Sequence, residues 1–401
     1  MKINNMIITA DWHIGAVNPN DFLNELEDTL FKKLDEMVEA CETLDAIFVA
    51  GDIFDSKQYF ASDAVSVAVH IFNRLMTEYA DELKFDVYIV SGTRTHDAGQ
   101  LDTLGEMIYR NPLDQDRMVF VINKVCEVTI GWGMKVLIIP EEYVADQDAY
   151  YDKYFQKHYD IILGHGMIDK IWYAKKNKED YGENQIMSAP VFSLDQLLEV
   201  GEYSFFGHVH THKLYAGGRF RYLGPVTRWE FGSSTEVGIT YIEYDQDSKT
   251  LVKDEFIENL KAPYMPTRII NLMDAPEDGF QISDINVMID DILAEEIANQ
   301  ASRIRFIVNL NSSLENANAI KDFLVTKLGD IPIAKLVLSA DFDKDVVNSM
   351  KETMEIENKT LDYVFSRDIC AEERIKKFIQ THRGKDVSID KIKKYLEEDE
   401  D

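Results

Sequence analysis

Positive charge is scarce in this 401-residue chain: 42 Lys and Arg stand against 72 Asp and Glu, a formal net charge of -30. That balance repels phosphate at long range and excludes a protein that coats nucleic acid with a basic surface. Any dealing with DNA must be arranged locally, for instance by bound divalent cations that reverse the field at one site. Long apolar runs are missing too. No stretch of about 18 uncharged apolar residues occurs, and MKINNMIITADWH passes from a short apolar strand straight into a charged motif, so neither a membrane span nor a signal peptide is expected. Cysteine is limited to Cys41, Cys126 and Cys370, odd in number and far apart. This excludes a disulfide framework and points to buried thiols in a reducing cytoplasm. Only 9 Pro, with 45% apolar and 11% aromatic residues, exclude a disordered chain. There is no internal repeat, and the one low-complexity stretch is the solvated acidic end EEDED.

What is present is an α/β pattern. Apolar runs at 6–8, 46–50, 87–90, 118–122, 136–139, 161–163 and 203–206 have strand character. Phe22, Leu26, Leu30, Leu34, Val38 and Cys41 recur at near-helical spacing and predict a crossover helix between the first two. KLYAGGRFRYLG predicts a hairpin around Gly217 and Gly218, and VGITYIEY a further strand, so late antiparallel strands join parallel ones. Pro263 and Pro266 in KAPYMPTR mark a linker. Beyond it, runs at 268–272, 304–310 and 333–338 alternate with helical periods at 285–298 and 319–328, a βαβαβ unit of ordinary small-domain size. After 341 only helical stripes follow, among them Val347, Met350, Met354 and Leu361.

The chemistry lies at the ends of the predicted strands. Asp11 and His13 stand in ADWH, and alternate residues of an extended chain face one side. Asp52 stands in AGDIFD, with Asp55 three residues on, and the carboxyl ends of strands form the ligand crevice of α/β sheets. His165 closes YDIILGH, and His208 and His210 follow SFFG. Any one of these motifs alone is a common turn, cap or core feature. Together, six metal-capable side chains end four strands. Neutral imidazoles with carboxylates suit manganese, iron or zinc, and a pair of ions suits phosphoryl chemistry. Among the other histidines, His70 falls in the helical run SVAVHIFNRL and is expected to be buried or half-buried, while His158 and His382 are expected at the surface. His212 is expected to orient a ligand imidazole. Lys175, Lys176 and Lys178 in AKKNK are candidates for phosphate contact, though such clusters are commonly just solvated.

The order DxH, GDxxD, GH, GHxH, followed by RYLGPVTRWEF, resembles the calcineurin-like metallophosphoesterase superfamily. Within it the chain resembles the nuclease subunit of SbcCD-type DNA repair and recombination complexes, including their phage versions. The resemblance implies a four-layer αββα sandwich at 1–260, a smaller βαβ capping and DNA-binding domain at 267–340, and a helical tail at 341–401. It implies that Asp11, His13, Asp52 and His210 hold one divalent metal, and Asp52, His165 and His208 a second, with Asp52 bridging. Manganese is the first choice, with magnesium, iron or zinc as alternatives. In the family another ligand is the Asn of a GNHD motif, whose neighbouring His approaches the leaving group. Here the loop is SGTRTHD: His96 and Asp97 fit the end of the motif, two residues are inserted after Gly92, and Thr95 replaces the Asn. Arg94 in that loop can grip a phosphate bidentately.

The activity so implied is metal-dependent DNA cleavage, as single-strand endonuclease and double-strand 3′–5′ exonuclease, in repair, recombination or replication. The implied setting is the cytoplasm of a bacterium or of a phage-infected host. The implied partner is an SbcC-type coiled-coil ATPase docked on the helical tail, around a homodimer of this chain. Two other readings stand beside it. The same residues serve a phosphoesterase acting on a nucleotide or other small diester, which the acidic charge favours. A non-catalytic scaffold subunit with a degraded site is the other, motivated by the altered GNHD loop.

Overall fold

The computed structural model describes residues 2–340, apart from 60, 98, 109–116, 145, 170–189, 234, 274–279, 312–313 and 315. The expected tail at 341–401, the AKKNK lysines, His382 and Cys370 lie outside the described residues. In chain order the strands are β1 (Ile3–Thr9), β2 (Ala46–Ala50), β3 (Asp86–Val90), β4 (Val119–Ile122), β5 (Cys126–Ile130), β6 (Met134–Ile139) and β7 (Tyr159–His165). There follow β8 (Met167–Ile168), β9 (Val191–Phe192), β10 (Gly201–Gly207), β11 (Lys213–Tyr215), β12 (Phe220–Tyr222), β13 (Gly238–Asp245), β14 (Thr250–Glu258), β15 (Thr267–Leu272), β16 (Ile304–Leu310) and β17 (Ala334–Ala340). Contacts divide the chain into two units, Met1–Thr267 with Ile292–Arg305, and Arg268–Asp291 with everything from Phe306.

The first unit is mixed α/β with two six-stranded sheets, ordered β14-β13-β1-β2-β3-β4 and β11-β12-β10-β7-β6-β5. β1, β2, β3 and β4 run parallel to one another, as do β6, β7, β10 and β12. The β13–β14, β5–β6 and β11–β12 pairs are antiparallel, and the last is the hairpin expected around Gly217 and Gly218.

Period-two alternation sorts the side chains of the central strands into separate cores. Ile7, Ile47, Val49, Val87 and Ile89 pack with helical residues such as Phe22, Leu26, Leu30, Ile71 and Phe72. Their neighbours Met6, Ile8, Phe48 and Val90 pack with Val136, Ile138, Ile161, Leu163 and Phe205 of the other sheet. Leu137, Ile139, Ile162 and Phe206 in turn pack with Tyr151, Leu197 and Val200. β2 is buried at every residue, as a strand covered on both faces must be. Each fully buried large aliphatic or aromatic side chain contributes roughly 1.5–3 kcal/mol, so these cores hold the strand ends rigidly.

Two expectations fail here for identifiable reasons. The predicted crossover helix forms, but it runs from Pro19 to Glu39 with a wide turn at Glu27–Phe31. It stops before Cys41, which has φ 54° and is exposed, while Cys126 is half-buried, so neither is the buried thiol expected. His70 lies on the helix Asp63–Arg74, whose inward face is Ala64, Val65, Val67, Ala68, Ile71 and Phe72. That leaves His70 on the outward face, exposed rather than buried. His158 is exposed as expected, with Nε2 2.9 Å from Glu202.

β15, β16 and β17, which fall mostly in the second unit, form a three-stranded sheet in that order, with the helices Ile282–Ala298 and Ala317–Gly329 between them in the chain. Alternate residues of β16, Ile304, Phe306, Val308 and Leu310, are buried.

Candidate metal centre

Parallel strands bring their carboxyl ends to one rim. β1 leads to Asp11 and His13, β2 to Asp52, β3 to Thr93, β6 to Glu141, β7 ends on His165, and β10 leads to His208 and His210. Both sheets therefore feed one cluster. The chain that carries Asp11 and His13 is not extended: β1 stops at Thr9, and these residues have φ of 50° and 43°. Their loop is laid against the next one by Asp11 N–H to the Gly51 carbonyl and His13 N–H to the Asp52 carbonyl, at 3.0 and 2.9 Å. Asp52 (φ 52°) and His208 (φ 87°) share the left-handed conformation. Each such non-glycine residue costs on the order of 1–3 kcal/mol, and four on one rim mark a place where position outranks stability.

The first group is Asp11, His13, Asp52 and His210, whose ligand-capable atoms all lie within 4.8 Å of one another. His13 Nε2 is 3.2 Å from His210 Nε2 and 3.6 Å from Asp52 Oδ2. Asp11 Oδ1 accepts from the His208 N–H at 2.9 Å. Its Oδ2 is buried and has no hydrogen-bond partner among the described residues. An unsatisfied buried carboxylate oxygen beside two imidazole nitrogens that face each other fits a divalent cation as the missing partner. The indole of Trp229 flanks the group, 4.3 Å from the His13 ring and 4.9 Å from that of His210, and shields it from water on that side.

The second group is Glu141, His165 and His208. His165 donates its Nδ1 proton to the Ala50 carbonyl at 2.8 Å, which leaves Nε2 facing Asp52 Oδ2 at 3.3 Å and Glu141 Oε2 at 3.6 Å. His208 Nδ1 is 3.1 Å from Glu141 Oε2. Asp52 Oδ2 thus lies between the two groups. Only glycine can precede it: Gly51 has φ +88°, and a Cβ there would lie 2.0 Å from His165 Nδ1. A Cβ on Gly92 would meet Asp52 Oδ1 at 2.2 Å.

The electrostatics follow from this crowding. Burial raises the Asp52 carboxyl, but the imidazoles of His165, His13 and His96 outweigh it and hold it well below the usual carboxylate range. Burial likewise raises Glu141, and His208 and His165 bring it down. Burial disfavours the charged form of His165, yet Asp52, Asp11 and Glu141 push its pKa up. For His210 the same contest is won by Glu230, Asp11 and Asp52.

The SGTRTHD loop is arranged differently from the expectation. Thr93, directly after Gly92, faces the second group: its N–H donates to Asp52 Oδ1 at 2.5 Å. Its Oγ1 lies 3.1–3.4 Å from Asp52 Oδ2, Glu141 Oε2, His165 Nε2 and His208 Nδ1. Thr95 and Arg94 are exposed, the Arg94 guanidinium lying 5.8 Å from the Tyr143 ring. Asp97 is not open to a phosphate. It is fully buried, and its carboxylate accepts from the backbone N–H groups of Ile53 and Gly92, so it ties the loop to the Asp52 turn. His96 packs edge-on against His13 at 4.8 Å and donates its Nδ1 proton to the Asp55 carbonyl, leaving Nε2 as the second nitrogen. Asp55 Oδ1 stands 3.7 Å from His13 Nδ1, and His13 holds the Asp55 carboxyl below its ordinary pKa. His212 donates to the Leu223 carbonyl at 3.0 Å and stacks on Phe256 at 3.9 Å, so its contacts are with the framework and not with a ligand imidazole.

Glu141 and Thr93 were missed by reasoning from motifs. Glu141 carries the same signal as Asp52, a carboxylate just past an apolar run, in KVLIIPEEY. The chain matches no protein-family model and no curated protein.

Proposed function

We propose that the chain is a two-metal phosphodiesterase of the calcineurin-like superfamily, cutting DNA as the nuclease subunit of an SbcCD-like complex. The observation that carries this reading is the placing of Asp52 Oδ2 between two groups of ligand-capable side chains, with a buried, unpartnered Asp11 oxygen in the first. The three separate cores support an αββα arrangement of layers, and the three-stranded second unit supports a capping domain. When bound, two divalent cations supply the Lewis acidity that polarises a phosphodiester and makes water a nucleophile at neutral pH.

Asp11, His13, Asp52 and His210 would hold one ion, and Asp52, His165 and His208 the other. Asp52 would serve both, since the surrounding imidazoles favour its ionised carboxylate. His165 presents Nε2 because its other nitrogen is committed to Ala50. His96, fixed through Nδ1 by the Asp55 carbonyl, keeps Nε2 for the departing oxygen, to which it gives a proton or a hydrogen bond. Trp229, against the His13 and His210 rings, would cover one side of the reacting bond.

The test is a manganese-supplemented assay on single- and double-stranded DNA and on a small diester, with and without an SbcC-type ATPase, against an Asp52→Ala control. DNA cleavage lost in the control is the expected result. Cleavage of the small diester alone would move the substrate to nucleotides, the reading the net charge of -30 favours. No cleavage of either would leave the scaffold reading.

A further inference from the structure

Glu141 is nearly sealed from solvent, 6% exposed, and its ion-pair partners among the described residues are the imidazoles of His165 and His208. One oxygen, Oε1, accepts from the Tyr143 hydroxyl at 2.5 Å. The other, Oε2, lies 3.1 Å from His208 Nδ1, 3.3 Å from Thr93 Oγ1 and 3.6 Å from His165 Nε2. His165 Nε2 is at the same time 3.3 Å from Asp52 Oδ2. A single proton on that nitrogen can at best be shared between two carboxylates at 3.3 and 3.6 Å, too long for good hydrogen bonds, so hydrogen bonding alone accounts poorly for the arrangement. Donor atoms about 3.0–3.4 Å apart are, by contrast, the edges of an octahedron or tetrahedron around an ion with bonds of ~2.1 Å.

We infer that Glu141 is a metal ligand of the second subsite, taking through Oε2 the place that an amide oxygen from the β3 loop would fill, with Tyr143 fixing its orientation. The inference rests on the two-metal reading above. The loop after β3 offers Thr93 at this point, and a hydroxyl is a weak donor to a cation; the carboxylate comes instead from the end of β6 in the other sheet, the neighbour of β7, which ends on His165. Exchanging an amide for a carboxylate makes the centre one charge more negative. It shifts the second subsite toward hard, oxygen-loving cations such as manganese and magnesium.

The measurement is calorimetric titration of metal-free full-length protein with manganese chloride, backed by electron paramagnetic resonance of the spin-coupled pair. The unaltered protein is expected to bind two ions per chain. Glu141→Gln, which keeps size and shape, and Glu141→Ala are expected to keep the first ion and weaken the second about 100-fold or more. That is at least the upper end of what losing an outer partner of a ligand costs. Tyr143→Phe is expected to weaken the second ion about tenfold. Thermal melting of each metal-free variant checks folding. Two ions bound with unchanged affinity in both Glu141 variants would overturn the role of Glu141 and leave the two-metal reading standing. No manganese bound by the unaltered protein would bring down that reading and this inference together.

Discussion

The two halves of the centre are built to different degrees of regularity. In the first, Asp11, His13 and His210 come from short motifs at the ends of β1 and β10 and meet Asp52. In the second, His165 and His208 meet a glutamate that follows β6 and a threonine from the loop after β3. Both obtain their geometry from the same source, the carboxyl ends of parallel strands whose cores are dry. The difference teaches that strand-end position, more than recurrence of a motif, decides which side chains reach this cluster.

That contrast can be broken by experiment. The largest effect is expected from Asp52→Ala, which serves both halves: turnover should fall roughly 10³-fold or more and both ions should bind weakly. His210→Ala and His165→Ala should each leave one manganese per chain by calorimetry, and loss of both from either would show that the halves do not act separately. Next comes His96→Ala, expected to lower turnover about 100-fold while two ions still bind; unchanged turnover would remove it from the reaction.

The smallest effect is the pH dependence of metal binding. A ligand imidazole must be neutral, and His165 and His210 have raised pKa values in the metal-free protein. Protons therefore compete below those raised values, and affinity for manganese should fall as the pH falls, by up to about tenfold per pH unit for each proton displaced. Because both halves contain one such histidine, titrations at several pH values should weaken both. An affinity flat with pH in either half would mean that its histidine is not a ligand.

Much of this was legible in the sequence. The apolar runs at 46–50, 87–90 and 136–139 fall in β2, β3 and β6, because strands buried on both faces are written as continuous apolar segments. Asp52, His165 and His208 stood out because each stands at the end of an apolar run, and His210 because it follows His208 in GHVH. Asp11 and His13 were expected to face one point through an extended backbone; they do join one cluster, but from a left-handed backbone. Thr93 was overlooked because SGTRTHD can be matched to the shorter GNHD pattern in more than one way along a line, and only packing shows that Thr93 is the residue that faces the cluster. Glu141 was overlooked although it obeys the strand-end rule, because no recurring motif drew notice to it. His70 and Cys41 show the limit of periodicity: one more residue of rotation, or one residue past a helix end, turns a side chain from core to solvent.

His165 has a second consequence. Its ring belongs to one sheet and its Nδ1 proton is held by Ala50 of the other, so the imidazole spans the gap between the sheets as a gauge spans a bearing. The thickness of the interior packing, set by residues such as Phe48, Leu163 and Phe205, is thereby transmitted to the atom that would touch the ion. A substitution deep in that interior, far from any substrate and too mild to unfold the protein, would register first as a mistuned cation.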